Sequence, residues 1–305
     1  MVTEATRVDA EGFGDIVAVV RALDDAALAA DGYPALGDAI WRDLGRPGAD
    51  SVGFLIPDRA YLHLARSDTF AAPHWTAGFV VHPTARDGTD VTTLMQAAID
   101  YVERHGGGKL VAWVFGASPA FDAQLRAVGF APTRDLYEMR VPLPRPESPS
   151  FPPGITLRDF EPGVDDEAWL VVNNRAFENH PEQGGWIRET LQRRLAEPWF
   201  DPTIFPLAFD DKGLAGFNWC KIHPPRGVDP ALGEIWVIGV DPRAAGTGLG
   251  RALALEGLRR MAARGLVDGS LFTNADNDRA VKLYRSIGFD VHRTDRSYAR
   301  EVAPA

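Results

Sequence analysis

The chain has 305 residues, of which 45% are apolar, a net charge of −10 and a single cysteine; that length suits a large buried core in two domains of about 150 residues each. The acidic balance disfavours a nucleic-acid partner, since phosphate binding rests on clustered Lys and Arg, and one cysteine leaves no intramolecular disulfide framework. With neither a charged-then-apolar leader nor an apolar run of membrane-spanning length, the expectation is a cytoplasmic chain, monomeric, with no membrane partner and no metal.

In chain order the first landmarks are the apolar stretch Phe79-Val-Val-His-Pro83 and the pair Gly129-Phe130. Residues 140 to 154 then carry six prolines in fifteen, which removes backbone donors and favours an extended linker. The predicted division is a first domain over 1–140, a linker over 141–154 and a second domain over 155–305, opening on the strand Ile155-Thr-Leu-Arg-Asp-Phe160. Between two helical patterns lies the polar loop Asn173-Asn-Arg-Ala-Phe-Glu-Asn-His-Pro-Glu-Gln-Gly-Gly-Trp186; loops of this kind build sites on a rigid scaffold, although its lone His180 also suits a structured turn. Cys220 falls in the apolar strand Leu214-Ala-Gly-Phe-Asn-Trp-Cys220, where packing is its expected role.

The next segment carries the chemistry. Gly233-Glu-Ile-Trp-Val-Ile-Gly-Val240 reads as a strand, followed by Asp241-Pro-Arg-Ala-Ala-Gly-Thr-Gly-Leu-Gly-Arg251. Glycines at 246, 248 and 250 let the backbone take positive φ and approach a ligand closely. A helix starting near Leu249 leaves its first amides unpaired with the positive end of its dipole behind them, which suits a pyrophosphate. A second strand, Ser270-Leu-Phe-Thr-Asn-Ala-Asp-Asn277, leads into Asp278-Arg-Ala-Val-Lys-Leu-Tyr-Arg-Ser-Ile-Gly-Phe289, with Asn277 or Asp278 as N-cap and Gly288 as the stop.

The blocks V-x-P-x-x-x-G-x-G-L-G and N-x-x-A-V-x-x-Y-x-x-x-G-F resemble the GNAT acyl-CoA N-acetyltransferases. The resemblance implies an α/β (α+β) fold, here two tandem GNAT domains, each a mixed, largely antiparallel sheet flanked by helices. It also implies acetyl-CoA as cosubstrate. Pantetheine would lie along Ile238, Gly239 and Val240, as an added strand would. The pyrophosphate would sit on Ala245, Gly246, Thr247, Gly248, Leu249, Gly250 and Arg251, with Asn277, Asp278, Arg279, Ala280, Val281 and Lys282 completing the cofactor site. Ala245 stands where the family usually has Gln or Arg, and Arg243 holds the same spacing two residues out of register.

The two halves repeat. Phe79-Val-Val-His-Pro83 matches Ile238-Gly-Val-Asp-Pro242 and Gly129-Phe130 matches Gly288-Phe289, both offset by 159. At that offset Gly248 falls on Thr89, Gly250 on Val91, Glu234 on Trp75 and Tyr284 on Leu125. The first half is thus expected to be catalytically silent, with Phe79, Val80 and Val81 a vestigial cofactor strand whose Asp87 and Asp90 repel pyrophosphate.

In the second half, amide formation needs a neutral amine and a proton for the departing thiolate. Glu234 opens the cofactor strand, on one face with Trp236 and Ile238 by period-two alternation, and is the candidate base, directly or through water. Tyr284 shares a helix face with Ala280 and Ile287; the GNAT resemblance makes it the general acid.

Finally, N-N-R-A-F-x-x-H-P-E-Q-G-G-W from Asn173, W-F-D-P at Trp199, F-x-W-x-K-x-H-P ending at Pro224 and G-E-x-x-V-x-G-V-D-P from Gly233 resemble the mycothiol synthase family. That implies acetylation of the cysteinyl amine of cysteinyl-glucosaminyl-inositol, the last step of making an actinobacterial thiol. It also implies substrate contacts at Asp38, Glu182, Lys221, Glu234 and Phe272. Phe272 replaces a family tyrosine, and Asp38 is a methylene shorter than the family glutamate. The alternatives are transfer to another amine, such as an aminoglycoside, a polyamine or a protein N-terminus, and a non-catalytic CoA-binding module.

Overall fold

The structure, a computed structural model, describes all residues except 1–3, 47–49, 68–72, 179–182 and 226–229. Two compact units divide the chain: residues 1–137 with 274–276 and 293–305, and residues 138–273 with 277–292.

The first unit begins with β1 (Thr6–Asp9), α1 (Phe13–Asp31) and α2 (Asp38–Gly45), followed by β2 (Ser51–Ile56), β3 (Ala60–Ser67) and β4 (His74–Val81). These four strands are antiparallel neighbours in sequence order. α3 (Asp90–Arg104) then crosses over to β5 (Gly108–Val114), which pairs parallel with β4, and α4 (Pro119–Ala127) follows. A parallel pair cannot be closed by a tight turn, which is why a helix stands at this point. Alternation along the strands sends Phe54, Leu62 and Leu64 to a core with α3, and Tyr61 and Val80 to a second core with α1 and α2.

β6 (Ala131–Pro142) leads to the second unit, which continues with β7 (Thr156–Asp159), α5 (Asp166–Ala176), α6 (Arg188–Leu195), β8 (Pro206–Asp210), β9 (Gly213–His223) and β10 (Leu232–Val240). α7 (Leu249–Ala262), β11 (Asp268–Asn274), α8 (Asp278–Ser286) and β12 (Asp290–Val302) complete the chain. The strand order is β6-β11-β10-β9-β8-β7, with β7 to β10 antiparallel and β10 parallel to β11. Each unit is therefore a mixed, largely antiparallel sheet with helices on it.

A sequential boundary at residues 141–154 does not describe the exchange of strands between the halves. Arg296–Val302 of β12 pair antiparallel with Val114–Gly108 of β5, while β6 lies beside β11. Proline content marks where a chain is extended; it carries no information about which strand closes which sheet. The repeat itself recurs in the elements: α3 starts at 90 and α7 at 249, α4 at 119 and α8 at 278, an offset of 159 in both.

The second unit has an aromatic core on one sheet face and a smaller aliphatic one under α7. On the first, Trp169 and Trp219 are fully buried, Trp219 stacking on Phe205 with ring centroids 4.5 Å apart. On the second, Cys220 is fully buried and its thiol is pushed up to about 12 by desolvation, which makes it an inert packing group. Gly257 lets α7 approach this strand: an added Cβ would meet Asn218 Nδ2 at 2.2 Å and Cys220 Sγ at 2.9 Å. Gly257→Ala is therefore expected to lower unfolding free energy by about 1–3 kcal/mol, read as a lower denaturation midpoint at unchanged slope; an unchanged midpoint would contradict this packing.

Candidate active site

The site is built where β10 parts from β11. Gly233, Glu234 and Ile235 pair with Gly269, Ser270 and Leu271, and past them the two strands carry no further registered pair. On the other edge β10 stays paired with β9 up to Val240. A β-bulge lies at this point: Ile235 opposes Cys220 and Val237 opposes Trp219, so Trp236 is an extra residue. Bulges bend a strand and add twist, and past this one a backbone edge of residues 237 to 240 is open for an extended ligand.

The bulge also corrects the expected face pattern. Glu234 lies opposite Lys221, and Trp236 packs on Trp199 and Trp219 at 4.9 and 4.8 Å, so Glu234 and Trp236 share the aromatic face. Ile238, opposite Asn218, packs with Leu249 and Leu253 under α7 instead. Strict alternation fails because the inserted residue reverses parity for everything after it.

Glu234 is buried, and its Oε2 lies 2.6 Å from Nε2 of His223, a hydrogen-bonded pair at the mouth of the hairpin. Lys221, two residues before His223, holds its ammonium 5.1 Å from the centre of the Trp199 ring, an attraction of cation and π face. Carboxylate, ammonium, imidazole and two indoles thus line one strand-pair face, a surface suited to a polyhydroxylated amine.

The glycine turn is equally specific. The Asp241 carboxylate, buried and paired with Arg175, accepts from the Arg243 amide at 3.0 Å. Gly246 and Gly248 adopt φ of +80° and +90° with open space at the Cβ position, so conformation and not crowding requires glycine there. Gly250 lies inside α7 with no positive φ, and only two of the three glycines serve the turn in the way expected. Gly248 caps α7, whose first amides are those a helix leaves without an intrahelical partner. These features fit a pyrophosphate. Arg243 does not reach toward it: its guanidinium bonds Asp210 and donates to the Leu214 carbonyl at 3.0 Å. Arg251 is paired with Glu147 of the proline-rich segment. Replacing Gly248 by Ala, which at this φ costs about 1–2 kcal/mol, is expected to raise the acetyl-CoA KM by about tenfold; an unchanged KM would contradict this placement of the phosphates.

α8 is capped by Asn277, whose side chain accepts from the Ala280 amide at 3.1 Å, which resolves the choice between Asn277 and Asp278. Ala280 is half-buried, Val281 and Tyr284 are buried, while Asp278, Arg279 and Lys282 are exposed. Desolvation pushes the Tyr284 phenol up to about 12, and the ring meets Phe289 edge-on at 5.8 Å.

Of the remaining expected substrate residues, Phe272 is 41% exposed on β11 and Asp38 is the exposed first residue of α2 in the first unit. Glu182 and His180 lie outside the described residues. Sequence reading missed His223 and the Trp199–Trp236 pair as members of the site. The signal for them was present in K-x-H, since residues two apart on a strand share a face.

A mycothiol acetyltransferase from Thermobispora bispora is 40% identical to this chain over 294 residues, covering 94% of this chain and 96% of the relative. The chain belongs to the mycothiol acetyltransferase family. Within it, residues 169–289 match the acetyltransferase (GNAT) family, a span that holds the parted strands, the glycine turn and Tyr284. This member of the mycothiol acetyltransferase family is accordingly an acetyl-CoA-dependent N-acetyltransferase. Its fold is that of a GCN5-related N-acetyltransferase from Sphaerobacter thermophilus, with a TM-score of 0.74 and 24% identity over 99% of this chain and 96% of that one. A tandem GNAT protein from the clavulanic acid biosynthesis pathway gives a TM-score of 0.71 at 18% identity, covering 99% of both chains.

In the first unit β4 also parts from β5, past the pair Gly78–Trp113, but the bulge and the glycine turn have no counterpart among the described residues. β3 and β4 pair without a bulge from Ser67–His74 to Ala60–Val81. Thr89, in place of Gly248, caps α3 at φ −102°, and the buried Asp90 carboxylate occupies the first turn, 2.9 Å from Arg59 Nε. Val80 points into the core with α1. Phe79 and Val81 line a cavity with room for about one water, bordered by Phe121 and by Arg86, which is held to Asp31 by two hydrogen bonds.

Proposed function

We propose that the second unit transfers the acetyl group of acetyl-CoA to the cysteinyl amine of cysteinyl-glucosaminyl-inositol, completing mycothiol. The observation that carries this reading is the buried carboxylate of Glu234 beside Lys221 and the aromatic wall, at the point where β10 leaves β11. The names of the relatives supply the substrate, and the residue chemistry suits it.

In this reading Ile238, Gly239 and Val240 bind pantetheine by their open backbone edge, and the amides from Ala245 to Arg251 hold the pyrophosphate, aided by the α8 cap around Asn277. An α-ammonium has a reference pKa near 8, so it gives up a proton readily to Glu234, directly or through water. Lys221 donates to hydroxyl or carbonyl oxygens, with Phe272 as a further contact. Tyr284, kept protonated by burial, donates to the sulfur as the carbon–sulfur bond breaks. The first unit, with its cofactor strand filled by its own side chains, is scaffold. In this reading the chain works as a cytoplasmic monomer.

The test is a panel of amines incubated with acetyl-CoA while free CoA is followed. Cysteinyl-glucosaminyl-inositol is expected to be turned over with the highest kcat/KM. A higher value for a polyamine or an aminoglycoside would overturn the substrate, and release with no amine would overturn catalysis.

A further inference from the structure

We propose that His223 resets the base, carrying the proton from Glu234 to solvent after each transfer. This rests on the reading of Glu234 as the base and adds a residue to it.

The proton balance requires such an exit. An ammonium and a thioester become an amide, a thiol and one free proton. The carbon–nitrogen bond forms, the carbon–sulfur bond breaks with its electron pair on sulfur, and two protons leave the nitrogen. One ends on sulfur through Tyr284. The other arrives on the Glu234 carboxylate and must leave before the next amine can be deprotonated.

Glu234 is poorly placed to release it alone. Its side chain is 9% exposed, against 36% for His223, whose Nε2 lies 2.6 Å from Glu234 Oε2. That is hydrogen-bonding distance; with the ring proton on Nδ1, the Nε2 lone pair accepts from the protonated carboxyl, and the proton crosses to imidazole with no rearrangement of either side chain. The ring then passes a proton to water from its exposed edge and recovers the acceptor form by exchange with solvent; imidazole suits this because it takes and gives protons near neutral pH. Strand pairing fixes the geometry. β9 and β10 are joined in antiparallel register with Lys221 opposite Glu234 and His223 opposite Leu232, so the imidazole stands one step along the same face, toward the hairpin mouth.

His223 acts through Glu234 and is a positioning and relay residue, so its test needs a readout that packing alone would not move. In the full-length enzyme, His223→Ala is expected to lower kcat at least about tenfold with the acetyl-CoA KM unchanged. Added imidazole should restore turnover in proportion to its concentration, while wild-type turnover does not respond. His223→Gln, which keeps a hydrogen bond to Glu234 but cannot carry a proton, is expected to be equally slow. Full turnover in His223→Gln, or a loss in His223→Ala that imidazole does not restore, would overturn the relay. Failure of the base reading is distinguishable, because it appears as full activity in a Glu234→Gln enzyme whatever stands at 223.

Discussion

Glu234→Gln is expected to lower kcat by about 10²–10⁴-fold, the range for a lost general base, with acetyl-CoA affinity nearly unchanged. The amide keeps the size of the side chain and a hydrogen bond to His223 but cannot take a proton. Glu234 lies before the bulge, on the aromatic face, whereas the open backbone edge of residues 237 to 240 lies after it. The two functions are thus separated along one strand. A variant that loses kcat and acetyl-CoA affinity in equal measure would contradict the base role, since it would mean that the carboxylate supports the cofactor strand.

The second large effect is expected at Tyr284. Removing its hydroxyl in Tyr284→Phe deletes no packing against Phe289, so the fold and the acetyl-CoA KM should hold while kcat falls by about 10²-fold or more. The raised value of the phenol, about 12 through burial, sets the sign of the pH dependence. A group that acts as an acid works while protonated, and a pKa raised above the ordinary value extends that range upward. Tyr284 should therefore produce no alkaline loss of kcat between about pH 7 and pH 10. An alkaline fall in that window that disappears in Tyr284→Phe would show the phenol ionising there, against its buried setting.

What could be read from the sequence was what is local. The positive φ at Gly246 and Gly248, the start of α7 at Leu249 and the cap of α8 at Asn277 all depend on a few consecutive residues. The offset of 159 between the halves was legible because a duplicated unit keeps its helix starts even after its site residues have changed. What escaped depends on partners distant in the chain. The bulge at Trp236 exists only in relation to β9, and without it Ile238 was placed on the wrong face. Arg243 holds the family's spacing two residues out of register, and the sequence does not show that Asp210, some thirty residues earlier, holds its guanidinium. The pairing of β12 with β5 joins segments nearly two hundred residues apart, and no composition or periodicity signals a strand exchange. His223 and Glu234 are eleven residues apart, within reach of a hairpin argument that pairs K-x-H against G-E.

The function itself depends on which atom of the acceptor is acetylated, because cysteinyl-glucosaminyl-inositol offers both an amine and a thiol. The most direct measurement is the product of one turnover with acetyl-CoA: its mass, and the number of thiols that a thiol reagent still titrates. A gain of one acetyl group with the cysteinyl thiol still free and the amine no longer reactive is the predicted result. An unmodified acceptor, or an acetylated thiol with the amine intact, would contradict it.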